Sequence, residues 1–309
     1  MTVDSSEVLV EGPWRHRFVA ANGARFHVAE ANQTGTEGPL VVLLHGFPQF
    51  WWAWRHQLPA LAAAGYRVAA MDLRGYGASD KPPRGYDTMT TAADVAGVVR
   101  SLGESEAVVV GHDWGGWVAW SMPGLAPRVT RAVAVVGAAH PLDARTFFGT
   151  AVARGPQARA AASAVLSFQV PMLPERRLAG GSAVRDCLTA WGGPGYPDDA
   201  TLDRYERAMR APFVAHTSLE YFRWALRSRY RRDGRRFAAG VADPVDVPVL
   251  ALAGELDPFV PASAVLGSRH RVAGPWAEHT VPGAGHYLPE ESPDAVTDAL
   301  LHWLKSLDA

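Results

Sequence analysis

A glycine-rich turn directly after an apolar run is the strongest chemical signal in the sequence. The segment VVVGHDWGG, residues 108–116, has the order strand, tight turn, helix, and small residues flank its centre. This Gly-x-nucleophile-x-Gly pattern is typical of a strained turn that exposes one reactive side chain. The central residue is Asp113 rather than serine or cysteine. We therefore predict a carboxylate nucleophile at the end of this strand.

A second apolar run ends in LLHGFPQF and predicts an oxyanion hole. A strand that ends in His-Gly-x-Pro can direct the backbone N–H of Phe47 toward the turn at Asp113. The backbone N–H of Trp114 would be the second of two donors. We also expect the neighbouring His45 and Pro48 to contact the substrate.

Two further strand-end residues complete the predicted catalytic set. Asp257 lies in GELDPFVP, and His286 lies in GAGHYLPEE, so the chain order is nucleophile, acid, base. Asp257 would hold the imidazole of His286 in one tautomer and stabilise its cation. Asp143 is a less favoured substitute for Asp257 as the orienting acid.

The elements that must position these residues alternate between short apolar runs and amphipathic stretches. This alternation predicts a mainly parallel sheet covered by helices on both faces. A hairpin is expected around Asn22-Gly23, and the last helix is expected to start at Pro293, with Ser292 as its cap. TMTTAADVAGVVRSL and the stretch after Phe50 have helix-like patterns. The runs interpreted as buried strands are PLVVLLHG, YRVAAMD, EAVVVGHD, VTRAVAVVG and VPVLALAGELD.

The alternation stops between about residues 141 and 236, where helix-like stretches occur without a convincing strand. An insertion at the carboxyl ends of parallel strands lies where such sheets bind ligands. We therefore predict a first core segment at 1–141, a helical cap at 142–236 and a second core segment at 237–309.

Composition narrows the class of protein further. The chain has 309 residues, a formal net charge of −1 and one cysteine. The charge balance gives no reason to expect a nucleic-acid partner, and Cys187 cannot form an intramolecular disulfide. We see no signal peptide and no membrane-spanning run, so we expect a cytoplasmic protein that does not bind membranes. A monomer or a homodimer is expected.

Several motifs together resemble those of epoxide hydrolases of the α/β-hydrolase fold, and the resemblance covers nearly the whole chain. The motifs are HGFPQFWWAWRHQ, MDLRGYGASDKP, GHDWGG, GELDPFVP and GAGHYLPEE. The resemblance implies that Asp113 attacks an epoxide carbon and forms an alkyl-enzyme ester. Water activated by His286 would then hydrolyse the ester and release a vicinal diol. It implies no metal and no organic cofactor. The expected partner is a hydrophobic small molecule, such as a bulky aromatic or natural-product epoxide.

The resemblance also implies two cap tyrosines that donate hydrogen bonds to the opening epoxide, and this sequence departs from that pattern. Matching LSFQVP and SLEYFRW to the family assigns the two positions to Ala164 and Phe222, which have no hydroxyl. Residues expected to contact the substrate in the cap are Trp191, Tyr221, Phe222 and Trp224. Other candidate donors are Tyr196, Tyr205 and Tyr230.

Two other functions remain open from the sequence. A haloalkane-type dehalogenase would use the same Asp-His-Asp machinery, and the N–H of Trp114 would suit a halide. However, Phe47 stands where such enzymes often have a second donor, an asparagine. A non-catalytic ligand-binding protein of the same fold is the third possibility. The arginine-rich stretch RSRYRRDGRR, residues 227–236, is expected to be a solvated edge of the cap.

Overall fold

An eight-stranded sheet forms the centre of the fold, with strand order β1-β2-β4-β3-β5-β6-β7-β8. The structure is a computed structural model and describes residues 5–31, 38–147 and 155–307. The strands are β1 (Arg15–Ala21), β2 (Ala24–Ala31), β3 (Leu40–Leu44), β4 (Arg67–Met71), β5 (Ala107–His112), β6 (Thr130–Val136), β7 (Val249–Gly254) and β8 (Trp276–Val281).

The predicted hairpin is confirmed at the antiparallel edge of the sheet. Strands β1 and β2 pair in register from Arg15 opposite Glu30 to Ala21 opposite Ala24. The turn residues Asn22 and Gly23 have φ values of 45° and 74°. Both angles are left-handed, which is the reason that an Asn-Gly pair suits this turn.

Strand β2 also pairs with β4 in antiparallel fashion, and the other pairs, from β4 through β3 to β8, are parallel. The five apolar runs interpreted as buried strands correspond to β3 to β7, and every residue of β3, β5 and β7 is buried. The sequence did not predict β8. Its residues are partly or fully exposed except for Val281, so this edge strand has no continuous apolar run.

Helices cover the sheet in two groups. Helix Thr88–Ser101 (α2) packs against Trp114–Leu125 (α3), and helix Gln57–Ala63 (α1) packs against Pro293–Leu307 (α13). The helix predicted at the end of the chain does start at Pro293. None of the helices in the described ranges is long and apolar enough to span a membrane. The core helices are α1 (Gln57–Ala63), α2 (Thr88–Ser101), α3 (Trp114–Leu125), α11 (Ala262–Gly267), α12 (Leu288–Glu291) and α13 (Pro293–Leu307).

Between β6 and β7 the chain forms helices, and the described residues of this insertion contain no strand, as the sequence predicts. The predicted boundary at 236/237 falls inside α10, so the insertion ends at Gly240 if whole helices are counted. Its helices are α4 (Pro141–Phe147), α5 (Pro156–Ser167), α6 (Leu173–Ala179), α7 (Ser182–Trp191), α8 (Asp199–Arg210), α9 (Val214–Arg227) and α10 (Arg232–Gly240).

Candidate active site

Asp113 lies in a strained turn between β5 and α3. Its backbone has φ 48° and ψ −112°, a combination that a non-glycine residue rarely adopts. The turn also needs close backbone contact, because a Cβ on Gly115 would lie 2.2 Å from the carbonyl oxygen of Leu44. Glycine is therefore required where α3 begins beside β3. The local geometry agrees with the nucleophile turn that the sequence predicts.

The two carboxylate oxygens of Asp113 have different neighbours. Oδ2 accepts a hydrogen bond of 2.8 Å from the backbone N–H of Phe47, one of the two expected oxyanion donors. Oδ1 lies 3.7 Å from Nε2 of His286, which has no hydrogen-bond partner among the described residues. The backbone N–H of Trp114, within the described chain, makes no hydrogen bond to this carboxylate. Its role as the second oxyanion donor therefore stays a prediction.

His286 and Asp257 form a buried pair at the ends of β8 and β7. Nδ1 of His286 lies 2.7 Å from Oδ2 of Asp257. The other carboxylate oxygen of Asp257 accepts 2.8 Å hydrogen bonds from the backbone N–H groups of Phe259 and Val260. With Oδ1 bound by backbone, Oδ2 is fixed as the acceptor for the Nδ1 proton. The Nε2 edge of the ring consequently faces Asp113.

The charges around the ring favour its protonated form. Burial lowers the pKa of His286, but the negative charges of Asp257 and Asp113 outweigh burial and raise this pKa to about 10. Burial has the opposite effect on the Asp113 carboxyl and raises its pKa. The pKa is lowered more strongly by His286, His112 and the Phe47 N–H. The net pKa of Asp113 lies below its usual range. Both shifts favour a resting pair of carboxylate and imidazolium.

Asp143, the alternative orienting acid, has a different partner. Its Oδ1 lies 2.6 Å from the guanidinium of Arg271. This ion pair joins α4 to the segment before β8, and the nearest carboxylate to Nδ1 of His286 is that of Asp257.

The backbone around His286 is held by His112, which the sequence did not indicate for this role, and by Trp191. The carbonyl oxygen of His286 lies 2.8 Å from Nε2 of His112, and Nδ1 of His112 lies 3.0 Å from Oε1 of Gln49. Its N–H donates a 2.9 Å hydrogen bond to the carbonyl of Trp191 in the insertion. The signal for His112 was its place beside the nucleophile in GHDWGG.

Glu291 fixes the same loop from the other side. Its carboxylate accepts backbone N–H groups from Gly285 at 2.6 Å and Tyr287 at 2.7 Å, the two neighbours of His286. It also accepts the N–H of Gly193 in the insertion, at 2.9 Å. The only sequence signal for this role was the acidic pair that follows GHYLP.

The adjacent Glu290 is a buried carboxylate that joins the insertion to the core. Its Oε2 accepts hydrogen bonds from the hydroxyls of Tyr196 at 2.8 Å and Tyr205 at 2.7 Å, and from the amide of Gln49 at 2.5 Å. Its Oε1 pairs with Arg55. The carboxylate thus has partners from both parts of the fold, as a buried charge requires.

A cavity of about 300 Å³ opens above Asp113, between the core and helices α4, α5 and α9. Apart from Asp113 and Arg229, its described walls are apolar or aromatic. An apolar cavity with few polar groups is typical of a small-molecule site. The walls are Asp113, Trp114, Trp117, Gly137, Ala138, Ala139, Ala144, Ala162, Val165, Leu166, Phe222, Ala225, Leu226, Arg229, Phe259 and Val260.

Of the residues expected to contact substrate, Phe222 lines the cavity, as does Trp114. His45 does not, because its Nδ1 bonds the carbonyl of Gly46 and its Nε2 accepts the N–H of Leu73. Pro48 is buried beside it and lies outside the cavity wall.

Three aromatic residues expected to contact the substrate from the cap, Tyr221, Trp224 and Trp191, also lie outside the cavity wall. The hydroxyl of Tyr221 donates a 2.8 Å hydrogen bond to the carbonyl of Arg74, and the indole of Trp224 donates to Asp233 at 3.0 Å. Neither group faces the cavity. Trp191 instead stacks on Phe259, with ring centroids 4.2 Å apart. Its backbone carbonyl accepts the N–H of His286, and its side chain is not part of the cavity wall.

The described residues include no group of three or more His, Cys, Asp or Glu side chains arranged to hold a metal ion.

Comparison with known proteins identifies the family of this chain. A family model described as the alpha/beta hydrolase fold matches residues 39–293. Epoxide hydrolase A of Mycobacterium tuberculosis is 32% identical over 328 residues, covering 94% of this chain and 98% of that protein. Epoxide hydrolase 3 of Xenopus tropicalis is 32% identical over 293 residues, covering 92% of this chain and 76% of that protein. The solved structure of an epoxide hydrolase from an endophytic Streptomyces matches with a TM-score of 0.78 and 30% identity, covering 96% of this chain and 97% of that chain. The chain therefore belongs to the epoxide hydrolase family of the α/β-hydrolase fold.

Proposed function

We propose that this hydrolase opens epoxides to vicinal diols through a covalent ester on Asp113. The observation that carries the proposal is the unequal environment of the two Asp113 oxygens. One is held by the Phe47 N–H, and the other accepts no hydrogen bond from the described residues and faces His286. A carboxylate in this position can displace an oxygen from saturated carbon, in contrast to the serine of an esterase.

In the first step, Oδ1 of Asp113 attacks one epoxide carbon, the C–O bond to that carbon breaks, and its electron pair stays on the epoxide oxygen. The carboxylate loses its charge as the ester forms. Loss of this charge lowers the pKa of His286, since one of the two carboxylates that stabilise the imidazolium has become neutral.

In the second step, neutral His286 takes a proton from water, and the resulting hydroxide attacks the ester carbonyl of Asp113. The negative charge develops on the oxygen held by the Phe47 N–H. A donor already in place at that oxygen stabilises the tetrahedral state without further reorganisation. Asp257 keeps the ring oriented throughout, through its 2.7 Å contact with Nδ1.

The substrate class follows from the cavity walls. We propose that the insertion at 142–236 acts as a cap and that a hydrophobic, aromatic epoxide fills the space beneath it. The aromatic side chains of Trp114, Trp117, Phe222 and Phe259 surround the cavity, whose volume of about 300 Å³ is small for a ligand site. A compact aryl epoxide therefore fits better than a long or branched one.

A dehalogenase is the second candidate, and one observation favours it. The indole N–H of Trp114 is buried beside the nucleophile without a hydrogen-bond partner among the described residues. Such a donor could hold a departing halide. Phe47 provides only a backbone N–H, which Asp113 already uses, so a second halide donor is not evident at that position.

Intact-protein mass spectrometry of His286→Gln tests the proposal. The variant is incubated separately with aryl epoxides and with haloalkanes, and Asp113→Ala/His286→Gln is the matched control. An adduct equal to the whole epoxide mass, mapped to Asp113, supports an epoxide hydrolase. An alkyl adduct that has lost halide, without any epoxide adduct, supports a dehalogenase. No adduct from either set, together with no turnover of either set by the wild-type enzyme, contradicts both and favours a binding protein.

A further inference from the structure

Opening an epoxide leaves an alkoxide that needs a proton, and the cavity has no obvious side chain to supply it. The positions that correspond to the cap tyrosines hold Ala164 and Phe222. Among the described wall residues, the side-chain N–H donors are the indoles of Trp114 and Trp117 and the guanidinium of Arg229, and the Trp117 N–H already donates to Thr88. An indole can donate a hydrogen bond but is too weak an acid to release its proton, and a guanidinium stays protonated.

The described tyrosines near the site do not fill this role. Tyr196 and Tyr205 donate to Glu290, and Tyr221 donates to the carbonyl of Arg74. Tyr76 and Tyr287 have buried hydroxyls without a partner among the described residues, and neither they nor His286 is a residue of the cavity wall. Burial raises the pKa of both well above the usual range, which makes them poorer acids.

His286 is placed differently, because its Nε2 edge lies 3.7 Å from the nucleophilic oxygen of Asp113 and has no acceptor within hydrogen-bond distance in the described chain. Nδ1 is occupied by Asp257. A proton on Nε2 therefore lies next to the reacting atoms and is not already bound elsewhere.

The groups that face the ring keep this proton on it. Asp113 and Asp257 contribute negative charge, and Glu291 holds the neighbouring backbone. The rings of Trp191, Phe259 and Tyr287 pack around it and are neutral. Among the described rings that pack against His286, the one that could carry a competing positive charge is that of His112, 5.0 Å away between centroids. Burial, together with His286, lowers the pKa of His112 to about 3, so it stays neutral.

We propose that His286 enters the reaction as an imidazolium and delivers its Nε2 proton, through one water molecule, to the oxygen of the opening epoxide. The inference rests on the proposed function and assigns to His286 the acid role that its relatives' cap tyrosines would have. Transfer through a single water is within the ordinary reach of a general acid.

The protons balance over the cycle. In the first step the Asp113 carboxylate forms the C–O bond, the epoxide C–O bond breaks, and the alkoxide takes the imidazolium proton. This leaves a hydroxyalkyl ester and neutral His286. In the second step His286 takes a proton from water, hydroxide adds to the ester carbonyl, and the leaving alkoxide takes that proton back. The protonated Asp113 carboxyl then returns a proton to His286. The net reaction is epoxide plus water to diol, and the ion pair is restored.

The rate of ester formation, measured by rapid quenching and intact mass, tests the acid role. If His286 supplies the proton, His286→Gln slows alkylation by an aryl epoxide about 10²- to 10⁴-fold, the usual contribution of a general acid. Adding Phe222→Tyr to His286→Gln places a hydroxyl in the cavity and should raise the alkylation rate at least tenfold. Adding Phe222→Leu instead should leave that rate unchanged. An activated alkyl halide is the control reagent, because halide leaves without a proton and its rate should not depend on His286.

An unchanged epoxide alkylation rate in His286→Gln would overturn the proposal, as would an equal loss with the alkyl halide. A separate readout does not depend on turnover. Nitrogen-15 NMR of the resting enzyme at pH 8 should show both ring nitrogens of His286 protonated. A neutral ring at this pH would overturn the proposal even if epoxides are hydrolysed. If both ring nitrogens are protonated but no epoxide is turned over, the imidazolium is present and the proposed function is refuted instead.

Discussion

Replacing Asp113 with asparagine removes the negative charge 3.7 Å from Nε2 of His286 and leaves a side chain of the same shape. Coulomb's law gives about 4.5 kcal/mol for unit charges at this separation and an effective dielectric constant of about 20. One pKa unit corresponds to about 1.36 kcal/mol, so the expected shift is about 3 units. The pKa of His286 should therefore fall from about 10 to roughly 7.

Nitrogen-15 NMR of the imidazole from pH 5 to 11 measures this shift, and the missing signal in His286→Gln identifies the residue. Asp143→Asn is the matched control, because it makes the same charge change at the ion pair with Arg271. A His286 pKa in Asp113→Asn within one unit of the wild-type value would refute the electrostatic reasoning. An equal shift in the control would show that the effect does not come from the neighbouring carboxylate.

The same shift links protonation to stability. The pKa of His286 is raised from 6.5 to about 10 in the folded state, so its stabilisation is fully present below pH 6.5 and is lost as pH rises through 10. Urea unfolding should show a steeper loss of stability from pH 7 to 10 in the wild type than in Asp113→Asn. Parallel curves would contradict the linkage.

Three further results are expected. Gly115→Ala should lower the free energy of unfolding in urea by at least about 3 kcal/mol, because its Cβ would lie 2.2 Å from a backbone oxygen. The control Gly267→Ala has open space around it and should change this free energy by less than about 1 kcal/mol. Since burial lowers the pKa of His112 to about 3, stability should fall as pH drops below 6.5, and urea titrations of His112→Asn should show a weaker fall. Glu291→Gln should lower kcat about tenfold in steady-state assays with little change in KM, because it weakens the hydrogen bonds that hold the loop of His286, and an unchanged kcat would exclude this positioning role.

Much of the fold could be predicted because its central strands are fully buried. Strands β3, β5 and β7 have continuous apolar runs, which local sequence reveals directly. Strand β8 lies at the sheet edge and is half exposed, so its sequence has no such run. The hairpin was predictable because its left-handed turn needs residues such as Asn22 and Gly23.

The candidate site divides in the same way. Asp113, Asp257 and His286 follow strands and carry their own local patterns, and the structure brings them together. Gln49 and Glu290 are 241 residues apart in the chain, and no local sequence pattern predicts their contact. The sequence also could not predict where the Tyr221 hydroxyl points, because its acceptor is a backbone carbonyl of a distant loop. Tertiary packing decides such contacts, and a single sequence does not encode them locally.

The attachment of the histidine loop to the insertion limits how far the two can be exchanged between relatives. His286 donates its backbone N–H to Trp191, and Glu291 accepts the N–H of Gly193. A chimera that keeps this core but takes its insertion from another enzyme would lose these two contacts unless the donor segment supplies the same backbone positions. The proposed cap therefore cannot be exchanged without regard to the position of His286, and an engineer who transplants the insertion should keep residues 191–193 with the core.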